Sequence, residues 1–222
     1  MFIIVGIVVV FIFLGLLFLV SKTTSNKLLV ESEKVDLFVD PIKISIEKCL
    51  EKTQKEGLIY LGMQGGYYST NFSYLFPDYS VPYYFYDNIS LLPNQEVLEK
   101  ELSLYIQNNL ADCINLNTFE QQGFEIKVGD ISVSSSIGLE KVGVTLYYPL
   151  DIIKGSQYQK WDYFFVQVPF EYGNIQEIIR EIIIQQEMSP NAIPLGLISN
   201  LAYDNNFYYT TINIGDKVLF SL

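Results

Sequence analysis

The chain opens with an unbroken apolar run, and polar residues begin only after it. Residues 2–20 read FIIVGIVVVFIFLGLLFLV and carry no charged side chain. A helix of that length reaches about 28 Å, close to the hydrocarbon core of a bilayer at roughly 30 Å. A secretory signal peptide would have basic residues before the run and a small-residue cleavage site after it, and neither is present. We therefore expect an uncleaved transmembrane helix at 1–21.

Two amphipathic helices are predicted after a polar stretch at 22–40, which is a linker or an extension of the first helix. The first begins near Pro41, a residue that suits the first helical turn, and ends at Gly65-Gly66. Asn94 is a candidate N-cap for the second helix, which runs to Cys113. Apolar residues fall on one face of each helix: Ile42, Ile46, Cys49 and Leu50 in the first, and Leu98, Leu102, Tyr105 and Ile106 in the second.

From residue 119 the apolar pattern shifts toward period two, which is typical of strands. Three segments are candidate strands: FEIKVGDISVSS, LEKVGVTLYYPLDII and YQKWDYFFVQVPF. Lys154-Gly155-Ser156 predicts a hairpin turn between the last two. NIQEIIREIIIQQEM predicts a helix with a broad isoleucine face, residues 195–203 a short helix, and FYYTTINIG and KVLFSL two final strands around Gly215-Asp216. The fold class predicted for 41–222 is α+β: a helix pair, then an antiparallel sheet with an inserted helix, all following the transmembrane helix.

The composition excludes several classes of function. The 14 basic and 25 acidic residues all lie beyond position 21, so the net charge of -11 belongs to the part that follows the apolar run. Nucleic-acid binding needs clustered Lys and Arg, and we do not expect it here. The chain has no His, which excludes His-based catalysis and His metal ligands, and two Cys are too few for an all-cysteine zinc site. We expect no metal and no cofactor.

The two cysteines are candidates for a disulfide. Cys49 lies on the first predicted helix and Cys113 at the end of the second, so a bond between them would tie the helices together. For a closed loop of about 65 residues the chain-entropy model gives a stabilisation of roughly 4 kcal/mol. The alternative is two buried free thiols, which behave as small apolar side chains. A catalytic cysteine is not expected, because no His is present to activate it.

The sequence gives opposing indications of membrane orientation. Lys22 and Lys27 follow the apolar run, and basic residues beside a membrane helix favour the cytoplasm. The acidic character of the domain, its cysteine pair and two N-x-S sequons favour the other side. The sequons make Asn71 and Asn88 candidate glycosylation sites, although such triplets also arise by chance. We expect a single-pass protein of the cell membrane with an extracytoplasmic C-terminal domain.

Residues 67–93 are predicted to form a long aromatic loop. Ten of the residues 67–86 are Tyr or Phe, and three prolines disfavour a regular helix. A loop of this length without secondary structure is often functional, and Tyr offers a large contact area at low entropic cost. The rings would equally suit packing against the sheet or the helix pair. The candidate contact residues are Tyr67, Tyr68, Tyr74, Tyr79, Tyr83, Tyr84 and Tyr86.

The remaining motifs give little indication of catalysis. The GMQGG segment at 62–66 lacks the Gly-Lys-Ser/Thr ending of a phosphate loop and follows a helix, so it predicts a helix stop. A carboxylate pair could serve a glycosidase, and four carboxylates lie near aromatic residues: Asp78, Asp87, Asp162 and Glu171. With 25 acidic residues, such neighbours arise by chance. We expect that the protein is not an enzyme.

Five segments carry a resemblance that extends over most of the chain: FIIVGIVVV, IEKCLEKTQKEGLIYLGMQGGYY, VPYYFYDN, LPNQEVLEKELSLYIQNNLADC and FEIKVGDISV. Together they resemble a group of uncharacterised archaeal membrane-anchored proteins, and the first resembles the N-terminal helix of archaeal type IV pilins. In those pilins a basic residue, a Gly and a processing site precede the helix, whereas this sequence begins at Met1-Phe2. The resemblance implies a membrane-anchored architecture and a location at the membrane, and it identifies no active-site residue in this sequence.

Three functions follow from these observations. We expect a non-enzymatic cell-surface protein, anchored in the membrane by residues 2–20, whose domain contacts other envelope proteins. The first alternative is a pilin-like subunit that self-assembles with the Phe2–Val20 helix in a filament core. The second is an envelope enzyme or a ligand-binding sensor, which predicts a concave pocket with converging polar groups.

Overall fold

The computed structural model describes residues 40–70, 72–76, 80–214 and 217–221. The transmembrane helix predicted at 1–21 and nearly all of the linker predicted at 22–40 lie outside these residues. Within the described ranges, no helix is both long and apolar enough to cross a bilayer. The described chain is α+β with antiparallel sheets, which confirms the predicted class.

The described residues contain five α-helices, and all except the single-turn α3 agree with the sequence pattern apart from their ends. They are α1 (40–63), α2 (Gln95–Asn109), α3 (Asn117–Glu120), α4 (Tyr172–Met188) and α5 (Leu195–Asp204). The predicted N-cap of α2 is confirmed, because the Asn94 side chain accepts a hydrogen bond from Val97 N at 2.9 Å. α2 ends before Cys113, and the chain continues as a 3₁₀ turn at Leu110–Asp112. The single turn of α3 is too short to produce a periodic pattern.

The segment predicted as an unstructured loop contains two short hairpins. Strand β1 (Ser73–Leu75) pairs antiparallel with β2 (Ser80–Pro82), and β3 (Phe85–Tyr86) pairs antiparallel with β4 (Ile89–Ser90). Asp87 and Asn88 connect β3 to β4, with φ values of 50° and 60°. Positive φ at both central residues is the signature of a type I′ turn, which matches the twist of a two-residue hairpin.

In the part of the chain that the structure describes, the main sheet has four antiparallel strands, one of which is long and central. They are β5 (Glu125–Val128), β6 (Ser132–Ile137), β7 (Lys141–Lys154) and β8 (Gln157–Pro169). β8 pairs along the whole of β7, whereas β6 pairs with its first half and β5 with its second half. A strand has only two edges, so β5 and β6 share one side of β7. Among the described residues, the sheet therefore ends at β8 on its other side.

A proline explains why the predicted strand FEIKVGDISVSS is divided into β5 and β6. Tyr148 and Pro149 on β7 lie opposite the single residue Asp162 on β8, which makes a β-bulge. Proline has no N–H for a ladder, so bulges are among the few places where a sheet accepts it. Gly129 N donates to Pro149 O at 2.8 Å, and a Cβ on Gly129 would lie 3.0 Å from the proline ring.

The core lies where α1 and α2 meet each other and the sheet. Its members are apolar residues with almost no exposed surface, among them Ile42, Ile46, Leu50, Leu98, Leu102, Ile106, Val142, Val144, Leu146 and Phe164. The predicted faces of both helices are therefore confirmed, with Tyr105 and Cys49 packed at the margin. Gln54, buried on α1, donates through Nε2 to Val142 O at 2.8 Å and so ties that helix to β7.

The helices α1 and α2 run antiparallel and are fixed together at three levels. At one end Cys49 and Cys113 form the predicted disulfide, with Cα atoms 5.6 Å apart. In the middle, a Cβ on Gly57 would lie 2.7 Å from the Tyr105 ring, so only glycine allows this approach. At the other end, a Cβ on Gly66 would lie 2.5 Å from Leu98 Cδ2. We call this arrangement the helix clamp.

Polar side chains of α2 cover the outer edge of β6. Ser135 N donates to Ser103 Oγ at 2.9 Å, and Ile137 N donates to Glu99 Oε1 at 2.9 Å. Gln95 Nε2 in turn donates to Ile137 O, also at 2.9 Å. These bonds replace those that a further strand would make, so β6 does not present a free edge.

The C-terminal part of the chain contacts the rest of the domain through α4, beside the end of β6 and the start of α2. Gln176, buried on α4, donates through Nε2 to Pro93 O at 2.7 Å, and Gly173 approaches the backbone of Gly138 closely. Of the predicted isoleucine face, Ile182 is buried while Ile175 is partly exposed. β9 (Thr210–Ile214) pairs with β10 (Lys217–Ser221), as predicted; their connecting Gly215-Asp216 lies outside the described residues.

We expect the Cys49–Cys113 bond to contribute a large part of the stability. The bond spans a sequence separation of 64 residues. The Cys49→Ala/Cys113→Ala variant should lose roughly 4 kcal/mol of unfolding free energy, because its unfolded chain is no longer constrained. Urea titrations with and without reductant measure this. Reductant should lower the wild-type midpoint and leave the variant unchanged; equal midpoints for all samples would contradict the expectation.

Candidate contact surface

The segment between α1 and α2 starts from a glycine helix stop, as its GMQGG sequence predicts. Gly66 N donates to Leu61 O at 2.6 Å and Gly65 N to Gly62 O at 3.4 Å, which is the pairing of a Schellman motif. Gly65 and Gly66 have φ values of 59° and 89°, a region that other residues adopt only with strain. The stop turns the chain out of α1 in a fixed direction.

Hydrogen bonds hold the segment to this base. The Tyr84 hydroxyl donates to Gly65 O, and Tyr68 N donates to Glu101 Oε2 of α2 at 2.8 Å. Rings of Tyr60, Tyr68 and Tyr105 pack together, with centroids 5.2 to 5.9 Å apart. The inner layer of the aromatic segment therefore serves packing against the helix clamp, which is one of the two roles that the sequence suggested.

An outer layer of apolar side chains faces solvent. The rings of Phe72, Tyr83 and Tyr86 contact one another, with centroids 5.1 to 5.5 Å apart. Ile89 is the cross-strand partner of Tyr86. The exposed fractions of Phe72, Tyr86 and Ile89 are 48%, 46% and 60%. We call Phe72, Tyr83, Tyr86 and Ile89 the hairpin patch; Leu75, 76% exposed, lies on the neighbouring strand β1.

The structure separates the tyrosines that were candidates for contact. Tyr67, Tyr68, Tyr74, Tyr83 and Tyr84 are partly buried, Tyr86 is exposed, and Tyr79 lies outside the described residues. Phe72, Leu75 and Ile89 belong to the exposed layer although the sequence argument considered tyrosines only. The alternating pattern of two- and three-residue strands is too short to show which rings point outward.

Two tyrosine hydroxyls lie in the interior beneath this segment. Burial raises the pKa of Tyr172 from 10.0 to about 12. Burial also raises the pKa of Tyr84, with smaller contributions from Tyr172 and Tyr67. The pKa of Tyr67 is raised by burial and by the nearby Glu101 carboxylate. The raised pKa values keep all three phenols neutral to a higher pH than an exposed tyrosine, so these side chains act as packing and hydrogen-bonding groups.

The charge around the hairpin patch is negative. No Lys or Arg occurs in residues 67–93, and the acidic residues of this segment are Asp78 and Asp87. Asp87 is exposed at the tip of the β3–β4 turn, while Asp78 lies outside the described residues. Asn88, the candidate glycosylation residue, is also exposed at this tip; Asn71 lies outside the described residues.

The carboxylates considered for catalysis occupy separate elements. Asp87 is at a turn tip, Asp162 lies 3.5 Å from Lys160 Nζ on β8, and Glu171 precedes α4. No hydrogen bond or ion pair joins these three. Glu171 lines an open groove of about 430 Å³ together with Glu140, Lys141, Pro169 and Phe170. Among the described residues, no group of three or more His, Cys, Asp or Glu could hold a metal ion.

Comparisons with known proteins add no assignment to this geometry. No protein-family model matches the chain, and no curated protein or solved structure is significantly similar to it.

The glycine stop gives a matched pair of substitutions. Gly66→Ala should lower the unfolding free energy by about 2 kcal/mol, since the new methyl would meet Leu98 at 2.5 Å and φ is 89°. Gly62→Ala meets no atom within 4 Å and should be neutral or stabilise α1 by up to about 1 kcal/mol. Chemical denaturation compares them, and equal effects of the two substitutions would argue against the close approach.

Alkaline pH should destabilise the fold through the buried tyrosines. The folded-state pKa of Tyr172 is about 12 against an ordinary value of 10.0, so the unfolded chain loses this proton first. The neutral Tyr172 phenol contributes its full stabilisation of the fold below about pH 10. This part of the unfolding free energy is lost as pH rises toward about 12, at up to roughly 1.4 kcal/mol per pH unit. Tyr172→Phe should reduce this slope, whereas Tyr208→Phe, at an exposed ring, should keep it. Urea midpoints at successive pH values measure the slope.

Proposed function

We propose that the protein is a non-enzymatic, membrane-anchored cell-surface protein whose extracytoplasmic domain binds another envelope protein through the hairpin patch. The observation that carries this proposal is the exposure of Phe72, Tyr86 and Ile89, in contact with the partly buried Tyr83, on a segment held to the helix clamp. Contiguous exposed apolar groups of this kind mark interaction sites. Aromatic anchors that are already ordered lose little conformational entropy on binding.

The charge of the segment indicates the chemistry of the partner. Residues 67–93 carry acidic groups and no basic group, within a chain of net charge -11. An anionic lipid surface would be repelled, so the membrane is not the ligand of the patch. A protein with an apolar cleft bordered by Lys or Arg would complement both the rings and Asp87.

Two features support the extracytoplasmic orientation. Disulfides persist in oxidising compartments, and both cysteines of the chain are joined in one bond. Asn88 is exposed at a turn tip, where a glycan would not disturb packing. The anchor in this proposal is the apolar run 2–20.

A pilin-like filament subunit is the second candidate. It is favoured by the same apolar run, because neighbouring helices in a filament core would cover residues 2–20 as well as lipid does. Electron microscopy of the cell surface distinguishes the two, since labelled filaments would support assembly and dispersed label would support single anchored molecules.

We expect site-specific photo-cross-linking to locate the partner at the hairpin patch. A photoreactive phenylalanine analogue replaces Tyr86 in the protein expressed in its own cells; the control replaces Tyr203, which is exposed on α5. Adducts should form at Tyr86 and not at Tyr203. Ile89→Asp should reduce their yield about fivefold to tenfold, since truncation of a binding hot spot costs more than about 1 kcal/mol.

The matched control for Ile89→Asp is Ile184→Asp, at an isoleucine of α4 that is 50% exposed. Its adduct yield should equal that of the parent protein. Equal adducts at positions 86 and 203, or equal effects of the two aspartates, would contradict binding at the hairpin patch.

A further inference from the structure

The outer face of the main sheet carries three exposed aromatic rings. The inner face packs against the helix clamp through alternate buried residues of β7, which are Val142, Val144 and Leu146. Because side chains alternate along a strand, Tyr147 points to the opposite, outer face. It lies beside Tyr163 of β8, with ring centroids 5.1 Å apart, and Phe165 follows two residues further along β8. The exposed fractions of Tyr147, Tyr163 and Phe165 are 39%, 66% and 57%, and we call these rings the aromatic platform.

The sheet holds the platform in place. The strands are in regular register here, since the bulge begins only beyond the Tyr147–Tyr163 pair. A Cβ on Gly143 would lie 3.3 Å from Cε2 and 3.5 Å from Cζ of Phe165. The Phe165 ring therefore leans across β7 and rests on the glycine backbone, with its outer side toward solvent. Aromatic contacts that are ordered in advance lose little entropy when a ligand binds.

Uncharged hydrogen-bonding groups border the platform. The outward-facing residues of β6 are exposed serines: Ser132, Ser134 and Ser136. Thr145 lies between Ser134 and Phe165, and Gln167 continues the row on β8. Each hydroxyl can both donate and accept a hydrogen bond, and the Gln amide can do the same through separate atoms. No residue of 132–136, 143–147 or 163–167 is charged, although the chain carries a net charge of -11.

The platform continues into an open groove. Lys141 and Pro169 form the cross-strand pair at the end of β7 and β8, and they share the orientation of the platform residues. They line the groove of about 430 Å³ together with Glu140, Phe170 and Glu171. The distance from Tyr163 to Pro169 is about 20 Å along the strand. The platform and the groove thus form one elongated surface, which suits a chain-like ligand.

We propose that this outer face binds a neutral oligosaccharide, whose sugar rings stack on the aromatic platform and whose chain runs along β8 toward the groove. A sugar ring has an apolar face of C–H groups and a rim of hydroxyls. The C–H groups pack on the electron-rich face of an aromatic ring. The hydroxyls exchange hydrogen bonds with Ser134, Thr145 and Gln167, each of which can donate and accept.

Other classes of ligand match this surface less well. Nucleic acids and anionic lipids need clustered basic residues, whereas the groove sets Lys141 beside Glu140 and Glu171. The same balance disfavours acidic polysaccharides. Contact regions between proteins are enriched in aromatic residues but depleted in serine, and here serines fill the outer side of β6. A neutral ligand rich in hydroxyls matches both the rings and their surroundings.

A glycan array followed by calorimetry tests the proposal. The full chain, in a detergent without a sugar headgroup, is applied to neutral hexose and N-acetylhexosamine oligosaccharides, with uronate oligosaccharides as the acidic set. Neutral oligosaccharides should bind and acidic ones should not. For a bound oligosaccharide, Tyr163→Ala and Phe165→Ala should each raise the Kd about tenfold, as at other aromatic contact residues. Tyr163→Phe keeps the ring and should change the Kd less than about twofold.

Matched substitutions elsewhere serve as controls. Tyr203→Ala removes a ring of α5 that is 88% exposed and should leave the Kd unchanged. Ser134→Ala should raise the Kd about threefold because one hydrogen bond is lost. Ser156→Ala, at the exposed turn between β7 and β8, should have no effect. All these residues except Ser134 lie away from the platform, and equal urea midpoints for every variant would show that lost binding is not lost folding.

Three outcomes would overturn the proposal: no binding to any neutral oligosaccharide of the array, binding confined to the acidic set, or a Kd that both alanine substitutions on the platform leave unchanged. Self-association of the chain that Tyr163→Ala abolishes would assign the face to a second copy instead. The hairpin patch lies on other strands, so Ile89→Asp should not alter oligosaccharide binding, and each proposal can fail without the other.

Discussion

The close contact of α1 with α2 is the constraint on which the rest of the fold depends. The disulfide holds one end, glycine-allowed contacts hold the middle and the other end, and the apolar faces between them exclude water. Because the pair is rigid, α2 can present Ser103 and Glu99 to β6 in register. The same pair presents Gln54 to β7. The sheet is thus positioned by helices that are already fixed to one another.

The helix clamp also explains why the protein can leave apolar groups exposed. The inner rings of the aromatic segment bury against Tyr60 and Tyr105, and the buried phenols of Tyr84 and Tyr172 stay neutral beneath them. These contacts order the segment, so the outer rings need no further packing to keep their positions. Order without burial is the property that a preformed binding surface requires.

The sequence predicts the elements whose signals repeat. α1 and α2 carry apolar residues over several turns, Asn94 and Gly65-Gly66 mark their ends, and two cysteines allow only one pairing within the chain. The hairpins at 73–90 were missed because strands of two or three residues contain no period. The division of β5 from β6 depends on Pro149, which is distant in sequence from Gly129. Which rings of the segment are exposed depends on tertiary packing, which no local pattern records.

The aromatic segment leaves the helix clamp and returns to it at nearly the same point. A Cβ on Gly66 would lie 3.8 Å from Pro93 Cγ, so the two ends of the insertion are neighbours. The entropic cost of closing such a loop rises only with the logarithm of its length, so a longer insertion would add little to it. Tyr68 and Tyr84 must stay, because their hydrogen bonds tie the segment to the clamp. The exposed β3–β4 turn makes no such bond, so it is the place in this segment where extra residues could be inserted without redesign of the core.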